Sequence, residues 1–338
     1  MSGGRTVALR PGLRLHPARG ARPRPGPVTP PAAGLFRPRR LAAGDRVGVV
    51  APAGPVPRAM LDAGLDVLRD WGLDPVVGRH VVDDHPSGYL AGADQARADD
   101  LRDAWCDPAL AAVVCARGGY GTQRMADLLD WDAMRQAAPK AFLGYSDITV
   151  LHEAFATRLG VATLHGPMPG TPAFLADTAG RDHLRRTLFA PEEVQVLHAP
   201  APRALVPGSA AGVTLGGCLS LLASDIGTPT GRPSAAGGIL LLEDTGEEAY
   251  RLDRFLTQLL RSGRLDGVAG VALGSWEDCG PADEVRALLL DRLAPLGVPV
   301  LDGLGFGHCL PALTVPLGVP AVLDADAGTL TVQVPALS

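Results

Sequence analysis

From Asp45 onward the chain alternates short apolar runs with amphipathic stretches of helical length, and no other feature constrains its fold as strongly. "DRVGVVAPAG" reads as a buried strand ending in a Gly/Pro turn. Residues 57–71 follow with Leu61, Leu65 and Leu68 on one helical face, and Gly72 stops the helix. "DPVVGRH" is a second strand, and the loop "VVDDHPSGYLAGA" leads to a helix from Asp94 to Trp105. "AAVVCARGGYG" gives a third strand running into a glycine turn, with a helix near 121–130. "KAFLGYS" is a fourth strand, followed by a helix over 147–159, and "VATLHG" is a short fifth. Strands separated by helices of this length predict a parallel sheet covered on both faces. Ligands of such sheets bind beyond the carboxyl ends of the strands, where both "ARGGYG" and "GYSD" fall.

At 338 residues the chain exceeds what one hydrophobic core usually serves, so two domains are expected. The first, 44–170, is an α/β domain with a flavodoxin- or Rossmann-like parallel sheet. The Pro-rich stretch 171–208 reads as a linker. Residues 209–338 restart with "GVTLGGCLSLLASDIGTPT" and "GGILLLEDTGEEAY" and end in short strands between Gly and Pro, predicting a mixed, β-rich α/β domain.

The formal net charge of −5 conceals an asymmetry: residues 1–40 carry nine arginines and no acidic residue, leaving the rest at −14. Such a body lacks the cationic surface that nucleic-acid binding needs. Residues 1–43, rich in Arg, Pro and Gly, read as a disordered extension. The Arg39-Arg40 pair suggests a secretion signal, but Asp45 and Arg46 interrupt the apolar run one would need. No segment approaches the roughly 18 uncharged apolar residues of a membrane span. Five cysteines form no C-x-x-C and no disulfide framework, which fits a cytoplasmic protein.

Several residues could carry chemistry. Ser146 follows a strand and opens a helix, where exposed N–H groups and the helix dipole favour an anion. It can attack a carbonyl there, or Ser146 or Asp147 can simply cap the helix. The spacing is not the G-x-S-x-G elbow. The Gly118-Gly119 turn lets backbone approach a ligand closely or serves only as a tight turn; it matches no nucleotide-binding fingerprint. Glu243 and Asp244 end a very apolar strand, where a carboxylate needs a partner. His308, in "GLGFGHCLPAL", and His165, in "LHGPMPG", are rival bases that spacing alone does not separate. Arg117 beside the glycine turn can anchor a substrate carboxylate through its planar fork, or brace the turn. Metal ligation is poorly supported: "HEAFA" lacks the second histidine of H-E-x-x-H.

Taken together, "GDRVGVVAPAGPV", "CARGGYGTQRM", "PKAFLGYSDITVLH", "HGPM", "GGILLLEDTGEEAYRLDRFLTQL" and "GHCLPALTVPLGVPAVLDADAGTLTV" resemble the LD-carboxypeptidase family of serine peptidases, in the family's order over nearly all of residues 44–338. The resemblance implies a Ser-His-Glu triad of Ser146, His308 and Glu243 and an oxyanion hole from backbone N–H groups of Asp147, Gly118 and Gly119. It also implies an acyl-enzyme route without cofactor or metal. The family releases terminal D-alanine from cytoplasmic murein tetrapeptides; a related branch hydrolyses an amide in peptidyl-nucleotide antibiotics and confers immunity. A non-catalytic module binding a murein peptide or nucleotide is the reading from another class. Relatives are often homodimers. Many have Asn where this chain has Cys218, and the 40-residue head lies outside the family pattern.

Overall fold

The computed structural model describes residues 34–338. In chain order its strands are β1 (Arg46–Val50), β2 (Asp74–Val77), β3 (Ala112–Cys115), β4 (Ala141–Gly144), β5 (Thr163–His165), β6 (Val196–His198) and β7 (Arg203–Val206). They continue with β8 (Ser209–Cys218), β9 (Gly238–Thr245), β10 (Gly270–Glu277), β11 (Val300–Asp302), β12 (Val315–Leu317), β13 (Pro320–Asp324) and β14 (Thr329–Val332). Two sheets result. The first has the order β12-β5-β4-β3-β1-β2, with its five N-terminal strands parallel and β12 antiparallel at the edge. The second has the order β6-β14-β13-β8-β9-β10-β11-β7, a parallel centre from β8 to β11 flanked by antiparallel strands. The α/β class, one sheet mainly parallel and the other mixed, is as the alternation implies.

The helices form where apolar spacing is helical. Helix Arg58–Asp70 buries Leu61, Leu65 and Leu68 against the first sheet. Helix Ala249–Arg261 buries Leu252, Leu256 and Leu259 against the second, each such side chain contributing about 1.5–3 kcal/mol. Another cluster joins the sheets: Val315 and Leu317 of the first pack with Leu241 and Leu301 of the second, together with Ala162 and Phe306 from the adjoining loops.

Three expectations need adjustment. The stretch 171–208 is more than a linker: it contains helix Thr178–Phe189 and strands β6 and β7, which form the two outer edges of the second sheet. Prolines and short length suit edge strands, which need donate on one side only. Nor do residues 209–338 stay in one layer, because β12 completes the first sheet. Of the extension, residues 1–33 lie outside the described residues. Residues 34–43 are built into the fold, with Phe36 bridging Val161 and Leu41 buried in the core. Among the described residues no helix is long and apolar enough to cross a membrane. All five cysteines are unpaired.

A buried ion pair ties the layers together. Glu153, in the helical segment that starts at Ser146, bonds Arg264 after helix Ala249–Arg261, and Arg232 stands 3.6 Å from its other oxygen. Glu153 and Arg264 are each 2% exposed. Removing one partner strands the other charge in the interior, so Glu153→Ala is expected to destabilise the fold by about 3–5 kcal/mol. Glu153→Met with Arg264→Met should cost less than the single change; urea unfolding of the three proteins measures both.

Candidate active site

The chain enters the site through the corner after β4. Tyr145 is extended, Ser146 takes φ 63°, and a tight turn over Ser146–Ile148 leads into helix Thr149–Ala154. A non-glycine residue in the left-handed region is strained by about 1–3 kcal/mol and persists only where its surroundings hold it. Neither Ser146 nor Asp147 caps its own helix. The Asp147 carboxylate instead accepts from the backbone N–H of Thr122 and from its hydroxyl, both at 2.8 Å, and the Thr122 hydroxyl also reaches the Asp147 carbonyl at 2.7 Å. This clamp fastens the serine corner to the segment just past the Gly118-Gly119 turn. Burial raises the Asp147 carboxyl above its ordinary range, against the pull of the Thr122 donors.

The glycine turn after β3 lies directly against the serine. A Cβ on Gly118 would fall 2.9 Å from Ser146 Cβ and 3.1 Å from its Oγ, so only glycine lets the two backbones approach this closely. Among the described residues, no protein acceptor takes the N–H groups of Gly118, Gly119 or Asp147. Arg117 is exposed on the same rim and donates to the Pro55 carbonyl at 2.8 Å, bracing the turn against the loop after β1.

Glu243 arrives from the second sheet near the end of β9 and is fully buried. His308 comes from the loop between β11 and β12, and its Nδ1 lies 2.7 Å from Glu243 Oε2. Gly307 makes this possible: at φ 93°, a Cβ there would sit 2.4 Å from Oε2. Asp177 braces the same loop, bonding the Ala312 N–H at 2.8 Å while capping helix Thr178–Phe189. Tyr145 packs its ring on the His308 imidazole with centroids 4.8 Å apart. Burial opposes charge on His308, but the Glu243 carboxylate outweighs it and lifts the imidazole above its ordinary value. Burial likewise opposes charge on Glu243, and the neighbouring histidines hold its carboxyl well below the usual range.

Of the rival histidines, His308 makes the carboxylate bond and faces the cavity. His165 is 1% exposed, with Nε2 3.7 Å from Glu243 Oε1. Asp244 serves structure, accepting from the Ser220 N–H and the Cys218 thiol. Cys218 is buried and its thiol is pushed far up by burial, so it fills space as a protonated group. Burial also pushes Cys309 up to about 11, so the thiol beside His308 is a poor nucleophile. His152 donates from Nε2 to the Gly144 carbonyl at 2.9 Å and accepts from Thr163 at 2.8 Å, so both its ring nitrogens are used in holding the end of β4. Among the described residues no cluster of His, Cys, Asp or Glu is placed to hold a metal ion.

A cavity of about 520 Å³ brings these parts together: Ser146, His308, Tyr145, Arg117, Gly118 and Gly119 line it along with Met168, Thr171 and Thr245. Ser146 Oγ makes no hydrogen bond to a described residue. Sequence reasoning missed Tyr145, Asp177 and the Asp147–Thr122 clamp. Only Asp177 left a local sign, an Asp-Thr pair at a helix start.

Residues 47–166 match the family described as LD-carboxypeptidase N-terminal domain, and residues 211–323 match the LD-carboxypeptidase C-terminal domain. A Streptomyces coelicolor protein provisionally named a carboxypeptidase is 66% identical over 304 residues, covering 90% of this chain and 98% of that one. The murein tetrapeptide carboxypeptidase of Pseudomonas aeruginosa is 36% identical over 296 residues, covering 83% and 94%. The solved structure of MccF in complex with glutamyl sulfamoyl guanosine superimposes with a TM-score of 0.79 at 22% identity, covering 89% of this chain and 99% of that one, a likeness of fold.

Proposed function

The chain belongs to the LD-carboxypeptidase family and is a serine-type carboxypeptidase, and from that premise we propose that it releases the terminal D-alanine of murein tetrapeptides through a Ser146–His308–Glu243 triad. One observation carries this reading: an imidazole bonded at 2.7 Å to a fully buried carboxylate lines the same cavity as a serine held in strained backbone.

In the proposed reaction Ser146 Oγ attacks the carbonyl of the scissile amide as His308 Nε2 takes its proton. Glu243 keeps the proton on Nδ1 and supports the imidazolium that forms. The N–H groups of Gly118, Gly119 and Asp147 receive the negative oxygen of the tetrahedral intermediate; losing one such donor costs about 10²–10³ in rate. His308 then protonates the leaving amine, D-alanine departs, and water hydrolyses the acyl-serine along the reverse path. The Oγ–Nε2 bond closes on substrate binding, as catalytic contacts commonly do.

Among the described residues lining the cavity, Arg117 carries the one permanent charge, and its remaining N–H groups suit the substrate's terminal carboxylate. Arg117→Ala is therefore expected to raise KM about tenfold or more with kcat largely kept. A peptide amidated at its C-terminus should lose the same discrimination.

The decisive experiment assays purified protein on a murein tetrapeptide and on an aminoacyl sulfamoyl adenylate side by side. Turnover of the first with release of D-alanine supports the proposal. Turnover of the second alone transfers the chain to immunity-type amidase chemistry, and tight binding without turnover of either makes it a binding module.

A further inference from the structure

His165 ends β5, paired to Gly144 on one side and Val315 on the other, so strands on both sides fix its backbone. Its ring is 1% exposed and packs edge-on against Phe306 and Tyr145, with centroids 5.6 and 5.8 Å away. Among the described residues, neither ring nitrogen has a hydrogen-bond partner, and neither does Glu243 Oε1. A buried carboxylate oxygen without a donor is costly, and so is an imidazole nitrogen with no partner. The two unsatisfied groups face one another: His165 Nε2 stands 3.7 Å from Oε1, while Oε2 is bonded to His308. That separation exceeds hydrogen-bond range, and a small side-chain rotation closes it.

We propose that His165 is a positioning residue for the catalytic carboxylate, donating from Nε2 to Glu243 Oε1 so that Oε2 stays on His308 Nδ1. The inference rests on the triad reading above. A carboxylate held at one oxygen can swing about its terminal torsion; held at both, it cannot. The need is greatest when His308 becomes imidazolium and its Nδ1–H must remain aimed at Oε2. His165 does not line the cavity, so its effect falls on the chemical step and not on substrate binding.

The test compares His165→Met with His165→Gln in the full chain, since the two side chains are similar in length and differ in having a donor. His165→Met should lower kcat about ten- to hundred-fold, the effect of one hydrogen bond to a charged group, with KM unchanged. His165→Gln should recover most of the rate. The inference is overturned if His165→Met turns over like the parent, or if the Met and Gln variants fall together, which would make the ring a packing element only. Ser146→Ala and His308→Ala are assayed alongside. If either keeps activity, the triad reading itself fails; if both lose it while His165→Met does not, only the role of His165 fails.

Discussion

Ser146→Ala is expected to lower kcat by roughly 10⁴–10⁶ while the protein stays folded, because the proposed mechanism makes the hydroxyl oxygen the bond-forming atom. Cys309, the thiol beside His308, is pushed up to about 11 by burial and is a poor substitute. The fold should tolerate the change: the serine hydroxyl bonds to no described residue, and alanine meets the same backbone strain at φ 63°. Ser146→Gly should be equally inactive yet at least as stable, since glycine occupies that region freely. Release of D-alanine measured by coupled assay, with circular dichroism as control, decides the matter. Retained turnover in either variant would remove Ser146 from the mechanism. A chelator should leave the parent rate unchanged.

Glu243→Gln should cost about 10⁴ in kcat, the scale seen when the acid of such a triad becomes an amide. The amide keeps the size of the side chain but supplies no charge to the imidazolium and can present its own N–H to His308, favouring the wrong tautomer. The pH dependence gives a second, independent reading. Burial lowers the His308 pKa, and the Glu243 charge and hydrogen bond more than restore it, with Asp244 adding to the rise. The base works only when unprotonated, so the acid limb of kcat/KM in the parent should lie above the ordinary imidazole value of about 6.5. Without the Glu243 charge, burial prevails and the limb moves to lower pH. A limb that stayed in place would mean that His308 is not the titrating base.

Much of this was legible in the sequence because it is local. The helix expected over 57–71 occupies Arg58–Asp70, and the one from Asp94 to Trp105 ends one residue later. Both follow from apolar spacing and a terminating signal. The helix expected near 121–130 is shorter, Thr122–Ala126, and a separate one, Trp131–Gln136, starts beyond it where Asp130 caps it from its side chain. What depends on distant pairing was not legible. Strands β6 and β7 are three and four residues long, and whether they form sheet edges is decided by β14 and β11, more than ninety positions away. The same holds within the site. Nothing near Asp147 announces Thr122 as its partner, and only the folded chain shows that His308 Nδ1 lies 2.7 Å from one oxygen of Glu243 while His165 Nε2 stands 3.7 Å from the other.

The antiparallel strand β12 carries a consequence for how the molecule comes into being. Residues 315–317 complete the first sheet, yet the ribosome makes them after the core of the second. A nascent chain therefore holds β5 with its outer edge open through most of translation, and open edges are where unfinished chains pair wrongly. The segment that closes this edge lies seven residues beyond His308, so that histidine is delivered together with the strand that completes the first sheet. On the proposed mechanism a growing chain carries Ser146 early and gains His308, the base that would activate it, only near completion, so hydrolytic competence would follow the closing of this sheet.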